Sequence, residues 1–102
     1  MSKVIFSIQY EIPPAKKDEY FSVIRELKNL LKADGLESYS VYEVKGKSNN
    51  YQEQYVFSSE QAYEDFDDNQ NERINILISK LNDLSTDNST KYTTLTEVTG
   101  IE

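Results

Sequence analysis

Two glutamates and several tyrosines are the residues of this chain whose types and spacing could support acid–base chemistry. Two segments with alternating polarity predict neighbouring antiparallel strands, and in the expected pairing two carboxyl groups oppose each other. Because like charges directly opposed are unfavourable, one group would hold its proton more tightly, as a general acid or base does. The expected partners across the two strands are Glu43 and Glu53, Val41 and Tyr55, and Lys45 and Tyr51.

Tyrosine is unusually frequent, with eight in 102 residues. Tyr10, Tyr51 and Tyr55 occupy alternating strand positions on the same predicted face as the glutamates. We interpret Glu53, Tyr55 and Tyr10 as candidate catalytic residues, and Glu43 and Tyr51 as candidate ligand contacts. Two plainer interpretations stay open. The tyrosines are core rings with satisfied hydroxyls, or the glutamate pair lies in water at the end of the hairpin, neutralised by Lys45.

The residue types that are missing exclude several kinds of chemistry. The chain has no His, Cys or Trp, so a Ser-His-Asp or Cys-His nucleophile, a zinc site with its usual ligands and a His-ligated haem are all excluded. Without Cys there is no disulfide framework, and cytoplasmic localisation is expected. No metal or cofactor is predicted. The net charge of −7 disfavours nucleic acid and anionic membranes as partners.

The hydrophobic pattern predicts six elements in one domain over residues 1–102. The predicted strands are 4–12, 37–45, 50–58 and 91–98. A first amphipathic helix is predicted over 15–32, stopped by Asp34 and by Gly35 acting as a left-handed cap. A second helix is predicted from Ser59, with a break at 69–71 and a continuation from Ile74 to Leu84.

The order β-α-β-β-α-β predicts a ferredoxin-like α+β fold, with a four-stranded antiparallel sheet and both helices on one face. Right-handed crossovers place the first and third strands in the middle. The sheet face away from the helices is mixed apolar and amide-bearing, almost without charge in its middle. Such a face favours covering by a second copy, hence a homodimer. Its members are Ile5, Ser7, Gln9, Tyr42, Val44, Gln52, Gln54, Val56 and Leu95.

Two segments resemble a known group of proteins: the proline-led start of the first helix, Pro13 to Tyr20, and the strand-to-helix junction Tyr55 to Tyr63. With the element order, they are similar to the dimeric α+β barrel superfamily, which contains antibiotic-biosynthesis-type monooxygenases. The resemblance covers nearly the whole chain and implies a ligand pocket between sheet and helices, with Phe57 and Phe66 as further ligand contacts. Haem-degrading members use an Asn, a Trp and a His; here Phe57 and Phe66 stand near the Trp and His positions, which disfavours haem degradation.

Two functions of different classes stay open. One is a cofactor-independent monooxygenase-like enzyme acting on a small aromatic or quinone-like molecule. The other is a non-catalytic homodimeric ligand-binding or structural protein. RNA recognition is disfavoured because the third strand, 51–57, lacks a basic-Gly-aromatic start and the charge is wrong.

Overall fold

The structure is a computed structural model that describes residues 2–68 and 72–101. Its strands are β1 (Val4–Glu11), β2 (Leu36–Glu43), β3 (Asn50–Phe57) and β4 (Lys91–Thr96). Its helices are a short 3₁₀ turn (Pro14–Lys16), α1 (Lys17–Leu30), α2 (Glu60–Asp68) and α3 (Glu72–Leu84). The break predicted at 69–71 lies outside the described residues. The last strand ends two residues earlier than predicted.

The four strands form one antiparallel sheet in the order β2-β3-β1-β4, which confirms the ferredoxin-like fold and the central position of β1 and β3. Alternate β3 residues are buried because a strand points successive side chains to opposite faces. The buried set of β3, Tyr51, Glu53, Tyr55 and Phe57, lies on the side covered by the helices.

The helices present amphipathic stripes to that side. The buried residues of α1 are Tyr20, Val23, Ile24 and Leu27, at the three- and four-residue steps of a helix. Those of α3 are Ile74, Leu77, Leu81 and Leu84. The start of α2 is capped as predicted, because the Ser59 hydroxyl accepts a hydrogen bond from the Ala62 amide at 3.1 Å. No helix among the described residues is long and apolar enough to cross a membrane.

The predicted register of the β2–β3 hairpin is wrong by two residues. Glu43 pairs with Tyr51, Val41 with Glu53 and Tyr39 with Tyr55, so the two glutamates are not opposed. The cause is the connection, which is longer than the four residues predicted. A turn closed by the Lys47 amide on the Val44 carbonyl, with Gly46 at φ +86°, is followed by Asn49 at φ +64°.

The end of α1 also differs from the prediction. The helix stops at Leu30, and Gly35 lies beyond it, so Gly35 is not its cap. Gly35 does take the left-handed conformation, with φ +85°. A Cβ atom there would lie 2.4 Å from the Ala62 Cβ, which explains why this junction against α2 needs glycine.

Candidate functional site

A cavity of about 240 Å³ lies between the sheet and the helices. Its walls are mostly aromatic and aliphatic, with a carboxyl group, an amide and several phenols as the polar groups. Tyr92 of β4 pairs with Ile8 on the helix-facing side of the sheet, and its exposed ring stacks on Phe6 with ring centroids 6.2 Å apart. The lining residues are Phe6, Ile8, Tyr10, Glu53, Tyr55, Phe57, Tyr63, Phe66, Ile78, Leu81, Asn82 and Tyr92.

Among the described residues of that wall Glu53 is the only acidic one, and it is 1% exposed. Three tyrosine hydroxyls donate to its carboxyl group. Tyr39 donates to Oε1 at 2.7 Å and Tyr10 donates to Oε2 at 2.9 Å. Tyr55 also donates to Oε1, at 3.4 Å, which makes this contact the weakest of the three. Each carboxylate oxygen therefore has one short donor, and the long bond from Tyr55 is the easiest to exchange for a ligand.

A fourth tyrosine extends this network beyond the cavity wall. The hydroxyls of Tyr10 and Tyr20 lie 2.9 Å apart, and their rings meet edge to face with centroids 5.7 Å apart. While the Glu53 carboxyl group is ionised, Tyr10 donates its one hydroxyl proton to Glu53, so Tyr20 is the donor to Tyr10. In that state the chain of donors runs from Tyr20 to Tyr10 to Glu53.

The electrostatics of the cluster follow from burial. Burial raises the pKa of the Glu53 carboxyl group above its ordinary value, and the hydrogen bonds from the three tyrosines oppose that rise only in part. No salt bridge from a described Lys or Arg neutralises the group. Burial and the neighbouring carboxyl group also raise the pKa of the Tyr10, Tyr39 and Tyr55 hydroxyls. These phenols stay protonated donors, and Glu53 is the group that titrates.

Five of the seven residues predicted for the site line this cavity: Tyr10, Glu53, Tyr55, Phe57 and Phe66. The other two, Glu43 and Tyr51, lie elsewhere, in a groove between α1 and the end of β2. The interpretation of a wet glutamate pair fits Glu43, which is exposed, but is wrong for Glu53. The tyrosines combine both interpretations, since they are buried in the core and also line the cavity or hold its carboxyl group.

The sequence pattern did not indicate two tyrosines of the hydrogen-bond network, Tyr39 and Tyr20, or the cavity-wall residue Asn82. Tyr39 supplies the shortest bond to Glu53, and it faces Tyr55 only in the observed hairpin register. Tyr20 was placed in the buried stripe of α1 without a polar role. Asn82 sits one residue after the buried Leu81 of α3, and nothing in the helical pattern marks it as a wall residue.

Among the described residues there is no group of three or more His, Cys, Asp or Glu side chains placed to hold a metal ion. Glu53 is surrounded by phenols and rings rather than by further carboxylates. The polar groups of the cavity are thus suited to hydrogen bonding and to transfer of one proton, in a wall that is otherwise apolar.

No family model and no curated protein matches this sequence. Solved structures do match its fold. A conserved protein from Methanosarcina mazei Go1 has a TM-score of 0.79 at 16% identity, over 93% of this chain and 92% of that one. The cofactor-independent oxygenase SnoaB from Streptomyces nogalater, in a variant form, has a TM-score of 0.75 at 17% identity, over 97% and 96%.

A candidate antibiotic biosynthesis monooxygenase from Caulobacter crescentus CB15 has a TM-score of 0.78 at 15% identity, over 95% of this chain and 91% of that one. At these identities the likeness establishes the fold. The resemblance seen in the sequence, to antibiotic-biosynthesis-monooxygenase-like proteins, is confirmed at that level.

Proposed function

We propose that this protein is a cofactor-independent oxygenase acting on a small phenol or quinol in the aromatic cavity. The observation that carries the proposal is Glu53, a carboxyl group that is buried, has no salt-bridge partner among the described residues and lines an apolar cavity. A carboxyl group with a raised pKa in a water-poor site is suited to proton abstraction. The fold shared with SnoaB, a cofactor-independent oxygenase, also supports this reaction type.

In the proposed reaction, the Glu53 carboxylate removes the hydroxyl proton of the substrate. The phenolate that forms passes one electron to O₂, and the resulting pair of radicals combines at a ring C–H carbon ortho or para to the oxygen. The peroxide takes the proton back from Glu53 and then loses water as the second carbonyl forms. One phenol and one O₂ give one quinone and one water.

Tyr55 is the residue best placed to assist the substrate oxygen. Its bond to Glu53 is long at 3.4 Å, so its hydroxyl can turn to a bound oxyanion at little cost. The short bonds from Tyr39 and Tyr10 meanwhile hold the carboxylate in place. The raised pKa of the Tyr55 hydroxyl keeps it a proton-bearing donor throughout.

The cavity volume limits the size of the substrate. An apolar protein cavity of about 150 Å³ is known to hold one benzene ring. The cavity of about 240 Å³ seen here therefore fits one ring with substituents or two fused rings. Larger polycyclic substrates would require the helices to move away from the sheet.

Oxygen consumption tests the proposal directly. An oxygen electrode should detect uptake with at least one member of a panel of one- and two-ring phenols and quinols. We expect Glu53→Gln to lower the rate by at least about a hundredfold, as loss of a general base does. Tyr55→Phe should lower it less. Glu64→Gln, on the exposed surface of α2, makes the same charge change and should match the wild type.

Binding measured by calorimetry separates the outcomes. Turnover that is equal in wild type and Glu53→Gln would overturn the role of Glu53. Saturable binding of these phenols without oxygen uptake would support the alternative, a non-catalytic ligand-binding protein. If the panel shows no binding and no oxygen uptake, that result would count against a functional cavity of this kind.

We also propose that the protein acts as a homodimer through the sheet face away from the helices. In the middle of that face the side chains of the central strands are half-buried and uncharged: Ile5, Gln9, Gln52, Gln54 and Val56. Every residue of β4 is exposed, including Leu95 on the same face. A second copy would cover both. Light scattering at micromolar concentration should return the mass of two chains; a monomer mass, or an unchanged dimer in Val56→Lys, would contradict this interface.

A further inference from the structure

The wall of the central cavity is buried at one end and exposed at the other. Glu53 lies at the buried end, where Tyr10 and Tyr55 are each only 3% exposed. Among the described wall residues only Asn82 of α3 and Tyr92 of β4 are exposed, and Tyr92 is 63% exposed. The cavity therefore opens to solvent at Asn82 and Tyr92, a pair that we call the mouth.

The pairing of the strands sets the distance between the two ends. Ile8 of β1 pairs with Glu53 of β3 on one side and with Tyr92 of β4 on the other, so these three residues form one row across the helix-facing side of the sheet. Neighbouring strands lie about 4.7–4.9 Å apart, which separates the backbones at Glu53 and Tyr92 by about 10 Å. A ligand that reaches from the carboxyl group to the mouth must be elongated, as two fused rings are.

The mouth carries a polar group with unused hydrogen-bonding capacity. The Ser85 hydroxyl donates to the backbone carbonyl of Asn82 at 3.0 Å, and the Asn82 side-chain amide has no hydrogen-bond partner among the described residues. The amide can both donate and accept a hydrogen bond. Apolar wall residues accompany it, since Ile78 and Leu81 come from the same helix and Ile8 lies between Glu53 and Tyr92 in the row across the sheet.

The charges of the wall favour a neutral ligand. No Lys or Arg is among the described wall residues, and Glu53 is the one acidic residue there. A carboxylate on the ligand would have no counterion in the cavity, and the net charge of −7 would repel it. An uncharged oxygen is therefore the group that suits the mouth.

We propose that the substrate carries a second, uncharged oxygen at the end opposite its reacting hydroxyl, and that Asn82 binds this oxygen at the mouth. The inference rests on the proposed function, because Glu53 takes the reacting hydroxyl. Asn82 donates to the second oxygen if it is a carbonyl, and accepts from it if it is a hydroxyl. Asn82 is then the residue that selects a diol or a hydroxyketone on two fused rings over a simple phenol or a hydroxy acid.

Anaerobic calorimetry tests this selection, because binding is measured without turnover. The ligands are 1-naphthol and its 5-, 6- and 7-hydroxy derivatives, all of which keep a C–H carbon para to the 1-hydroxyl group. We expect the wild type to bind at least one diol about tenfold more tightly than 1-naphthol, as one added hydrogen bond gives. The matched anion, 5-hydroxy-1-naphthoate, should bind at least about tenfold more weakly than that diol.

Two asparagines of α3 provide the variant and its control. Asn82→Leu should weaken binding of the preferred diol about tenfold and should not weaken binding of 1-naphthol, which removes the preference. Asn75→Leu makes the same change outside the cavity wall and should keep the preference. Both positions are exposed, so both variants should fold.

The outcomes separate this inference from the proposed reaction. Equal affinity of the wild type for 1-naphthol and every diol, equal effects of the two variants, tight binding of the anion, or no binding at all would each overturn the role of Asn82. Oxygen uptake with 1-naphthol and the diols at equal affinity would overturn that role and support the reaction. A diol preference that only Asn82→Leu removes, without oxygen uptake, would support the role of Asn82 and count against the reaction.

Discussion

Glu53 and Glu43 lie two positions out of register on neighbouring strands, and their surroundings are opposite. Glu53, paired with Val41, is almost fully buried and receives hydrogen bonds from three tyrosine hydroxyls. Glu43, paired with Tyr51, is exposed and receives no side-chain hydrogen bond from a described residue. Both side chains belong to the helix-facing phase of the hairpin. The difference is their position along the hairpin. Glu43 is the last residue of β2, next to the connection between the strands, whereas Glu53 lies further from that connection.

This contrast indicates that burial, rather than a second carboxylate, raises the pKa of Glu53 in the central cavity. The sequence had suggested that two opposed glutamates would raise each other's pKa. In the structure the pKa of Glu53 is raised chiefly by loss of water around the group. The same fold therefore holds one carboxyl group in a buried cavity and the other at an exposed position near the hairpin connection.

The largest effect is expected from a test of the hairpin register itself, because a crosslink either forms or does not. Ser40 is directly opposite Gln54 in the structure, whereas Tyr42 would be opposite Gln54 in the register that opposes the two glutamates. The double change Ser40→Cys with Gln54→Cys should crosslink readily under air, since directly opposed Cβ atoms lie about 4.5–5.5 Å apart. Tyr42→Cys with Gln54→Cys should crosslink poorly. Thiol titration and mass spectrometry measure crosslinking in both double variants. Ready crosslinking of the Tyr42→Cys pair and poor crosslinking of the Ser40→Cys pair would mean that Glu43 and Glu53 are directly opposed.

The next effect concerns the phenols that separate the two environments. Tyr39→Phe removes the shortest hydrogen bond to Glu53. It should lower the free energy of unfolding by about 1–3 kcal/mol, because a buried acceptor loses a partner. Tyr42, also in β2, is 53% exposed, so Tyr42→Phe should change the free energy of unfolding by less than about 0.5 kcal/mol. Urea denaturation at pH 7 compares them, and equal losses would mean that Tyr39 contributes only packing.

The smallest effect is the pH dependence of stability. Because the pKa of Glu53 is higher in the folded state than its ordinary value of 4.5, the folded chain holds more protons than the unfolded chain above that pH. The contribution of Glu53 to stability is thus most favourable below pH 4.5 and is lost as pH rises through the folded pKa. In that window the slope reaches at most about 1.4 kcal/mol per pH unit.

Glu53→Gln should remove this slope, and Glu43→Gln should keep it. Urea denaturation repeated at intervals upward from pH 4.5 measures the three curves. If the curves of wild type and Glu53→Gln run parallel, the pKa of the Glu53 carboxyl group is not raised by burial.

Much of the site could be predicted from local pattern. The alternation through Tyr51, Glu53 and Tyr55 placed a carboxyl group on a tyrosine-lined surface, and that face is the one the helices cover. The helical spacing likewise placed Tyr20 on the buried face of α1. What failed was pairing across the hairpin, since that depends on loop backbone at Gly46 and Asn49, whose left-handed conformations shift the register without changing the strand pattern.

The sequence by itself determined the order of elements, the helix-facing phase of the two central strands and the exclusion of His and Cys chemistry, because period and composition are local properties. Only the tertiary structure decided which tyrosines reach Glu53. Tyr10, Tyr39 and Tyr55 come from three strands and meet at one carboxyl group through register and sheet order. It also decided that Glu43 and Tyr51 belong to a different groove, because a side chain's neighbours across strands depend on pairing that no single segment encodes.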